Sequence, residues 1–358
     1  YLLGLFDGSE YDNISYLEVE SPRHLDAAEK AAEKSFVLLK NNGILPLDKE
    51  KLKTIGIIGP NADSRQALIG NYHGTASRYI TIQEGIQDYV GDDVRILTSR
   101  GCDLFRDRTE HLAFTRDRIA EAKVVAENSD VVILCMGLDE TLEGGDTGNS
   151  YVSGDKEDIE LPGVQRELME AIADTGKPVV FCLLAGSDLD LKYAAEKFDA
   201  VMMLWYPGCQ GGKAAAKVLF GEISPSGKLP VTFYESLEEL PDFTDYSMKG
   251  RTYRYMERKA QFPFGYGLTY SKVAVDKAEV KICGQKINVE VEVQNNGAYD
   301  TEDVVQIYVK NIDSKNAIPN PMLAGFQRIF LKAGECRKIE IPIWEKAFTV
   351  VDETGKRM

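Results

Sequence analysis

The chain has 358 residues, 44% of them hydrophobic, and a formal net charge of −15. That length supports a large core and about two domains. An acidic surface repels phosphate backbones and anionic bilayers, so nucleic-acid and membrane partners are excluded as expectations.

From Pro22 to Asn41, alanines and Glu/Lys pairs, with Ala27, Ala31, Phe36 and Leu39 along one side, predict a helix. Gly43 and Pro46 end it. KTIGIIGPNA is an apolar strand closing in a Gly59-Pro60 turn, and DDVRILTS is a second strand. A helix from Arg118 to Ser129 precedes the strand DVVILCMG, and a helix from Pro162 to Asp174 precedes the strand KPVVFCLL. A shorter helix near Leu191 to Lys197, the strand AVMMLW and the helix GGKAAAKVLFGE, closed by Gly221, complete the series. Strand and helix alternate, and the strands are continuous apolar runs without a polar face. Strands buried on both sides read this way, so residues 21–229 are predicted to form an α/β domain, a mostly parallel sheet sandwiched by helices.

Residues 230–270 fit neither pattern; rich in Tyr, Phe and Arg, they are expected to be a long connection strapped to the α/β domain. Past Tyr270 the period changes. KINVEVEVQNNG alternates apolar and polar residues and ends in an Asn-Gly turn, and EDVVQIYVKN, LAGFQRIFLKAGE and RKIEIPI continue the style. Residues 271–358 are therefore expected to be a small all-β sandwich, ending without an obvious closing strand.

In parallel sheets, chemistry sits in loops beyond the carboxyl ends of the strands. The loop after DVVILCMG carries Asp139, Glu140, Glu143, Asp146 and Asp155 among glycines and small polar residues. With few apolar contacts to hold it, it is expected to be poorly ordered. Gly59–Gly74 and Gly208–Gly212 are two further loops of this kind. GIIGPNA is not a dinucleotide-binding loop: it lacks Gly-x-Gly-x-x-Gly and has proline where free N–H groups are needed.

The six cysteines form no Cys-x-x-Cys pair, and Cys135 and Cys182 lie inside apolar runs, which predicts reduced thiols and a cytoplasmic protein. The opening YLLGLFDGSEYD has neither the basic start nor the apolar stretch of a signal peptide. His24, His73 and His111 are far apart in sequence, so no metal is expected, and no cofactor is implied.

SFVLLKNNGILPL, IGIIGPNA, WYPGCQGGKAAAKVLFGEISPSGKLPVTF, KGRTYRY and FPFGYGLTY stand in one order along nearly the whole chain. Together they resemble glycoside hydrolase family 3, the β-glucosidases and β-xylosidases. The resemblance implies a (β/α)₈ barrel, then an α/β sandwich, then a fibronectin type III-like sandwich. LGLFD in residues 1–20 looks like a tail leaving that barrel, which is not part of this sequence. The implied activity is that of a retaining, exo-acting β-glycosidase that removes terminal non-reducing β-linked sugars. Its Asp nucleophile is on the barrel, and its general acid/base Glu is on a loop of the α/β sandwich. A retaining glycosidase needs two carboxyl groups flanking the glycosidic oxygen. Glu143-Gly144-Gly145-Asp146 resembles the Glu-Gly-x-Asp pattern around the acid/base, which nominates Glu143, with Glu140 second. The resemblance implies a longer acidic loop here, with further Glu between Gly144 and Gly145; either this loop is truncated, or Glu143 has a different role, or residues of the loop are missing from the sequence. Tyr72 and His73, in GNYHGTAS, stand where relatives place an aromatic against the aglycone; Arg251 is a third substrate-binding candidate. The plain alternatives are solvated loop acids, an exposed turn and a structural ion pair. The implied partners are a β-linked oligosaccharide or β-glycoside and the barrel, on the same or another chain; self-association is left open. The chain by itself is expected to be inactive. The rival class is a non-catalytic carbohydrate-binding or scaffold protein built on the same two domains.

Overall fold

The computed structural model describes residues 1–71, 73–106, 114, 116–143, 158–284 and 286–358. The α/β part runs α1 (Pro22–Ser35), β1 (Val37–Asn41), β2 (Thr54–Ile58), α2 (Ile82–Val90), β3 (Arg95–Ser99), α3 (Asp117–Glu127), β4 (Val131–Gly137), α4 (Gln165–Ala173), β5 (Val179–Leu184), α5 (Lys192–Lys197), β6 (Ala200–Met203) and α6 (Gly211–Leu219). The strands form one sheet in the order β1-β6-β5-β4-β2-β3. All neighbours are parallel except β1, which runs antiparallel to β6.

Successive strand residues enter opposite cores, as the pleat requires. Val132, Leu134 and Met136 of β4 pack under α3 and α4 with Ala122, Leu168 and Ile172. Val131, Ile133 and Cys135 pack on the other face with Ile82 and Ile86 of α2 and Val218 of α6. Every residue of β4 and β5 is buried, and each large apolar side chain so buried contributes about 1.5–3 kcal/mol. This explains the absence of a polar face in those runs.

One element differs from the sequence reading. The first helix does not continue to Asn41: it stops at Ser35, and Val37–Asn41 form β1. Phe36, Val37, Leu38 and Leu39 are all buried. Val37 and Leu39 enter one core and Leu38 the other. Four consecutive apolar residues satisfy a strand covered on both sides, whereas a helix with one apolar stripe would leave some of them in water.

The β-sandwich comprises β7 (Val273–Cys283), β8 (Lys286–Asn295), β9 (Thr301–Val309), β10 (Met322–Leu331) and β11 (Cys336–Pro342). It has a three-stranded sheet, β11-β8-β7, and a two-stranded sheet, β10-β9, with antiparallel neighbours. Val289, Val291 and Val293 of β8 and Ile341 of the neighbouring β11 pack with Ile329 and Leu331 of β10 in its core. The connection between the two parts lies on the α/β surface. Phe233 pairs with Phe262, and Leu268 N–H donates to Leu38 O of β1 (2.8 Å). Lys228 meets Asp303 at 2.7 Å, and Arg328 bonds Ser226 Oγ at 2.6 Å, tying the sandwich to the end of the α/β part. Among the described residues, no helix is long and apolar enough to cross a membrane.

Candidate functional site

The chain leaves β2 for β3 on one side and returns to β4 on the other. Loops after β2 and β4 therefore diverge at the carboxyl edge and leave a crevice, the place where open α/β sheets bind ligands. Asn61, almost fully buried, spans its floor. Its Nδ2 donates to Leu138 O (2.7 Å) and its backbone N–H to Cys135 O (3.3 Å).

The loop after β2 brings His73 to Glu140 on the loop after β4. His73 Nε2 lies 2.9 Å from Glu140 Oε2, and Nδ1 lies 2.8 Å from Gly74 O. Both ring nitrogens thus face acceptors, which the doubly protonated ring satisfies. The Gly74 carbonyl first, and then the Glu140 charge, raise the His73 pKa above 6.5. The fold therefore favours protonated His73. The clasp is fully formed below pH ~6.5 and is lost as pH rises through the raised value. In an NMR titration, the His73 ring protons should change shift at a pH above that of an unstructured histidine, and Glu140→Gln should bring the midpoint down. A midpoint indifferent to Glu140→Gln would remove the clasp.

Glu143 lies three residues further along the same loop, and its carboxylate reaches two neighbouring strand ends. Oε1 accepts from Gly186 N–H and from Tyr206 Oη (2.6 Å), and Oε2 accepts from Ser187 Oγ (2.6 Å). Gly186 and Ser187 follow β5, and Tyr206 follows β6. Trp205 delivers Tyr206 through a left-handed turn (φ 57°), a strained conformation for a non-glycine residue and one that concentrates at functional sites. Trp205 Nε1 holds that turn by donating to Ser35 O (3.0 Å). The Tyr206 ring lies against two glycines: a Cβ on Gly70 would meet its Cδ2 at 3.1 Å, and one on Gly186 would meet its Cε2 at 3.0 Å. Burial, and then the Glu143 charge, push the Tyr206 phenol far above its ordinary range, so it stays a donor.

The structure thus brings together Glu140, Glu143 and His73. Tyr72 lies outside the described residues, as do residues 144–157 with Asp146 and Asp155, where the expectation of poor order falls. Arg251 does not join the cluster. Its Nη2 bonds the carbonyls of Pro241, Asp242 and Asp245 within the connection, close to the structural alternative weighed from sequence. Gly186, Ser187 and Tyr206 were not singled out from sequence; their only signal was position, just past two apolar strands. Among the described residues, no group of three or more His, Cys, Asp or Glu could hold a metal ion.

Comparison with known proteins supplies the context. The family model described as the glycosyl hydrolase family 3 C-terminal domain matches residues 36–270, and a fibronectin type III-like domain matches residues 303–358. The chain is 34% identical over 378 residues to a β-xylosidase of Formosa agariphila, covering 100% of this chain and 50% of that protein. It is 31% identical to a periplasmic β-glucosidase of Salmonella typhimurium, covering 99% and 51%. Among solved structures, a β-glucosidase from Erythrobacter marinus superimposes with a TM-score of 0.82 at 32% identity, covering 96% of this chain and 48% of that one. An exo-β-xylosidase in complex with a xylobiose aziridine probe gives a TM-score of 0.86 at 26% identity, covering 98% and 48%. The chain spans about half the length of the relatives it matches.

Proposed function

The chain belongs to glycosyl hydrolase family 3, and from that premise we propose that it is the C-terminal portion of a retaining, exo-acting β-glycosidase, a β-glucosidase or β-xylosidase. In this reading a barrel on the same or another chain supplies the nucleophile and most of the sugar pocket. The present chain supplies the general acid/base and part of the aglycone side. Residues 1–20 are the tail from that barrel, 21–229 the α/β sandwich, 230–270 the connection and 271–358 the fibronectin-like part.

The observation that carries the proposal is the pair of glutamates, Glu140 and Glu143, on the first turn after β4 at the crevice between the β2 and β4 loops. A proton shuttle on a projecting loop can be presented to a second domain, and the two carboxyl groups of a retaining site must lie about 5–5.5 Å apart across the scissile bond. Glu143 and Glu140 are the nominated residues, and His73 lines the aglycone side. The location follows the thiols. Cys102, Cys135 and Cys182 are free and buried, which suits a reducing cytoplasm. One relative is named periplasmic, so fractionation of the native cell decides between the compartments.

The test has two arms. The purified 358-residue chain should show no turnover of aryl β-glucosides or β-xylosides. The polypeptide carrying the barrel should hydrolyse at least one of them. In that polypeptide, removing the true proton donor, through Glu143→Ala or Glu140→Ala, should hurt glycosides with poor leaving groups far more than those with activated phenols, because a good leaving group needs little protonation. Turnover by the 358-residue chain alone would overturn the reading that the nucleophile lies on the barrel, and a barrel-bearing protein that binds sugars without cleaving them would favour the non-catalytic class.

A further inference from the structure

We propose that Glu143 is the positioning residue of the loop after β4, not its proton donor. Its carboxylate clamps the root of the loop to the ends of β5 and β6, and proton transfer falls to a carboxyl group other than Glu143. The inference rests on the reading of this edge as part of a glycosidase site and refines it.

Three features carry it. First, the described partners of Glu143 all suit an ionised carboxylate: Gly186 N–H can only donate, and the Tyr206 and Ser187 hydroxyls, which are also able to accept, stand where they donate to it. A general acid must hold a proton aimed at the leaving oxygen. A proton on Glu143 would sit among these donors, and to accept it Ser187 or Tyr206 would have to reverse. Second, the donors are built in. Tyr206 is set by a left-handed Trp205 that is itself held to Ser35, and its ring is flanked by Gly70 and Gly186, where an added Cβ would crowd it at 3.1 and 3.0 Å. This is rigid support for an acceptor, whereas a shuttle must exchange partners during turnover. Third, the clamp joins the ends of three adjacent strands, β4, β5 and β6. It therefore fixes where the loop starts, and with it Glu140, three residues earlier and bonded to His73 across the crevice.

The clamp is tested first in the 358-residue chain, without reference to activity. Hydrogen exchange of the amides from Leu138 to Glu143 should speed up about tenfold or more in Tyr206→Phe and in Glu143→Ala, since each loses a bond to a charged group. The double variant should exchange no faster than Glu143→Ala. Glu143→Gln should keep most of the protection, because its amide oxygen still accepts from Gly186 and Tyr206. Unchanged exchange in both single variants would overturn the clamp, whatever the activity of the protein. The role is tested second, in the barrel-bearing polypeptide. Glu143→Ala should lower kcat/KM by one factor for activated and unactivated leaving groups alike, added azide should not rescue it, and Glu143→Gln should recover most of the loss. A loss concentrated on poor leaving groups and relieved by azide would make Glu143 the acid/base and overturn the inference. An inactive wild-type polypeptide would strike the glycosidase reading instead and leave the exchange result to judge the clamp.

Discussion

Replacing Lys217 with alanine should lower the stability of the α/β part by about 3–5 kcal/mol, read as a fall in the denaturation midpoint at unchanged slope. Lys217 projects from α6 toward α1 and meets Glu29 Oε1 at 2.5 Å and Glu33 Oε1 at 3.3 Å. Both acids are less than a tenth exposed (5% and 7%). Removing one partner of a buried ionic cluster leaves uncompensated charge, which costs far more than an exposed pair is worth. The two acids respond to burial differently. For each, burial is the largest influence and raises the pKa. In Glu29 the bonds from Lys213 and Lys217 outweigh it and the net shift is downward; in Glu33, with Lys217 as its bonded partner, burial wins and the net shift is upward. Glu29 therefore contributes stability above the ordinary carboxylate range that is lost as pH falls through its lowered value. Glu33 contributes stability below that range that is lost as pH rises through its raised value. Lys217 is raised, so its contribution persists through neutral pH and is lost only above 10.5. Without Lys217, no cation among the described residues bonds Glu33, so the defect should be largest near neutral pH and shrink toward pH 4, where Glu33 takes up a proton. A variant as stable as wild type at pH 7 would show that water already solvates the cluster.

This cluster marks a boundary of what a sequence can reveal. In α1, Glu29 and Glu33 sit beside Lys30 and Lys34, and the four look like a solvated face. Only the docking of α6 decides that the two glutamates turn inward while Lys30 bonds the exposed Asp26. The strands of the α/β part were legible because burial on two sides demands uninterrupted apolar runs, and those of the sandwich because burial on one side demands alternation. β1 was missed because Phe36 to Leu39 follow a helix without a break, and an apolar run of that length fits the end of a helix as well as a strand. At the site, loop position past a strand picked out the region, and the family resemblance, not any local pattern, nominated Glu140, Glu143 and His73 within it. The donors to Glu143 come from residues 43, 44 and 63 positions away. No local pattern encodes that meeting; it follows from the order of β4, β5 and β6 in the sheet.

The second large effect is expected at Gly212, in the first turn of α6. A Cβ there would lie 1.8 Å from Thr81 O and 2.5 Å from Thr81 C, both backbone atoms that cannot rotate away. The approach is mutual: a Cβ on Gly85 of α2 would lie 2.1 Å from Gly212 O. The two helices touch through their backbones, and two hydrogen bonds lock the contact, Gly212 N–H to Ile80 O and Ile80 N–H to Cys209 O, each 2.9 Å. Thr81 is also the N-cap of α2, its hydroxyl accepting from Glu84 N–H (3.2 Å). A methyl group at 212 must push Thr81 outward, adding loss of a cap, about 1 kcal/mol, to overpacking of about 1–3 kcal/mol. Gly212→Ala should therefore cost about 2–4 kcal/mol. The damage should also travel, because the displaced segment ends the loop that carries His73 to Glu140. The His73 ring titration should then fall back toward that of an ordinary histidine, even where the chain remains folded. Gly74→Ala is the control in the same loop: a Cβ there meets nothing within 4 Å, so its stability should stay within about 0.5 kcal/mol of wild type. If Gly212→Ala proved as stable as Gly74→Ala, with His73 titrating as before, α2 and α6 would have room to separate. The close approach of their backbones would then not be what holds the β2 loop over the crevice.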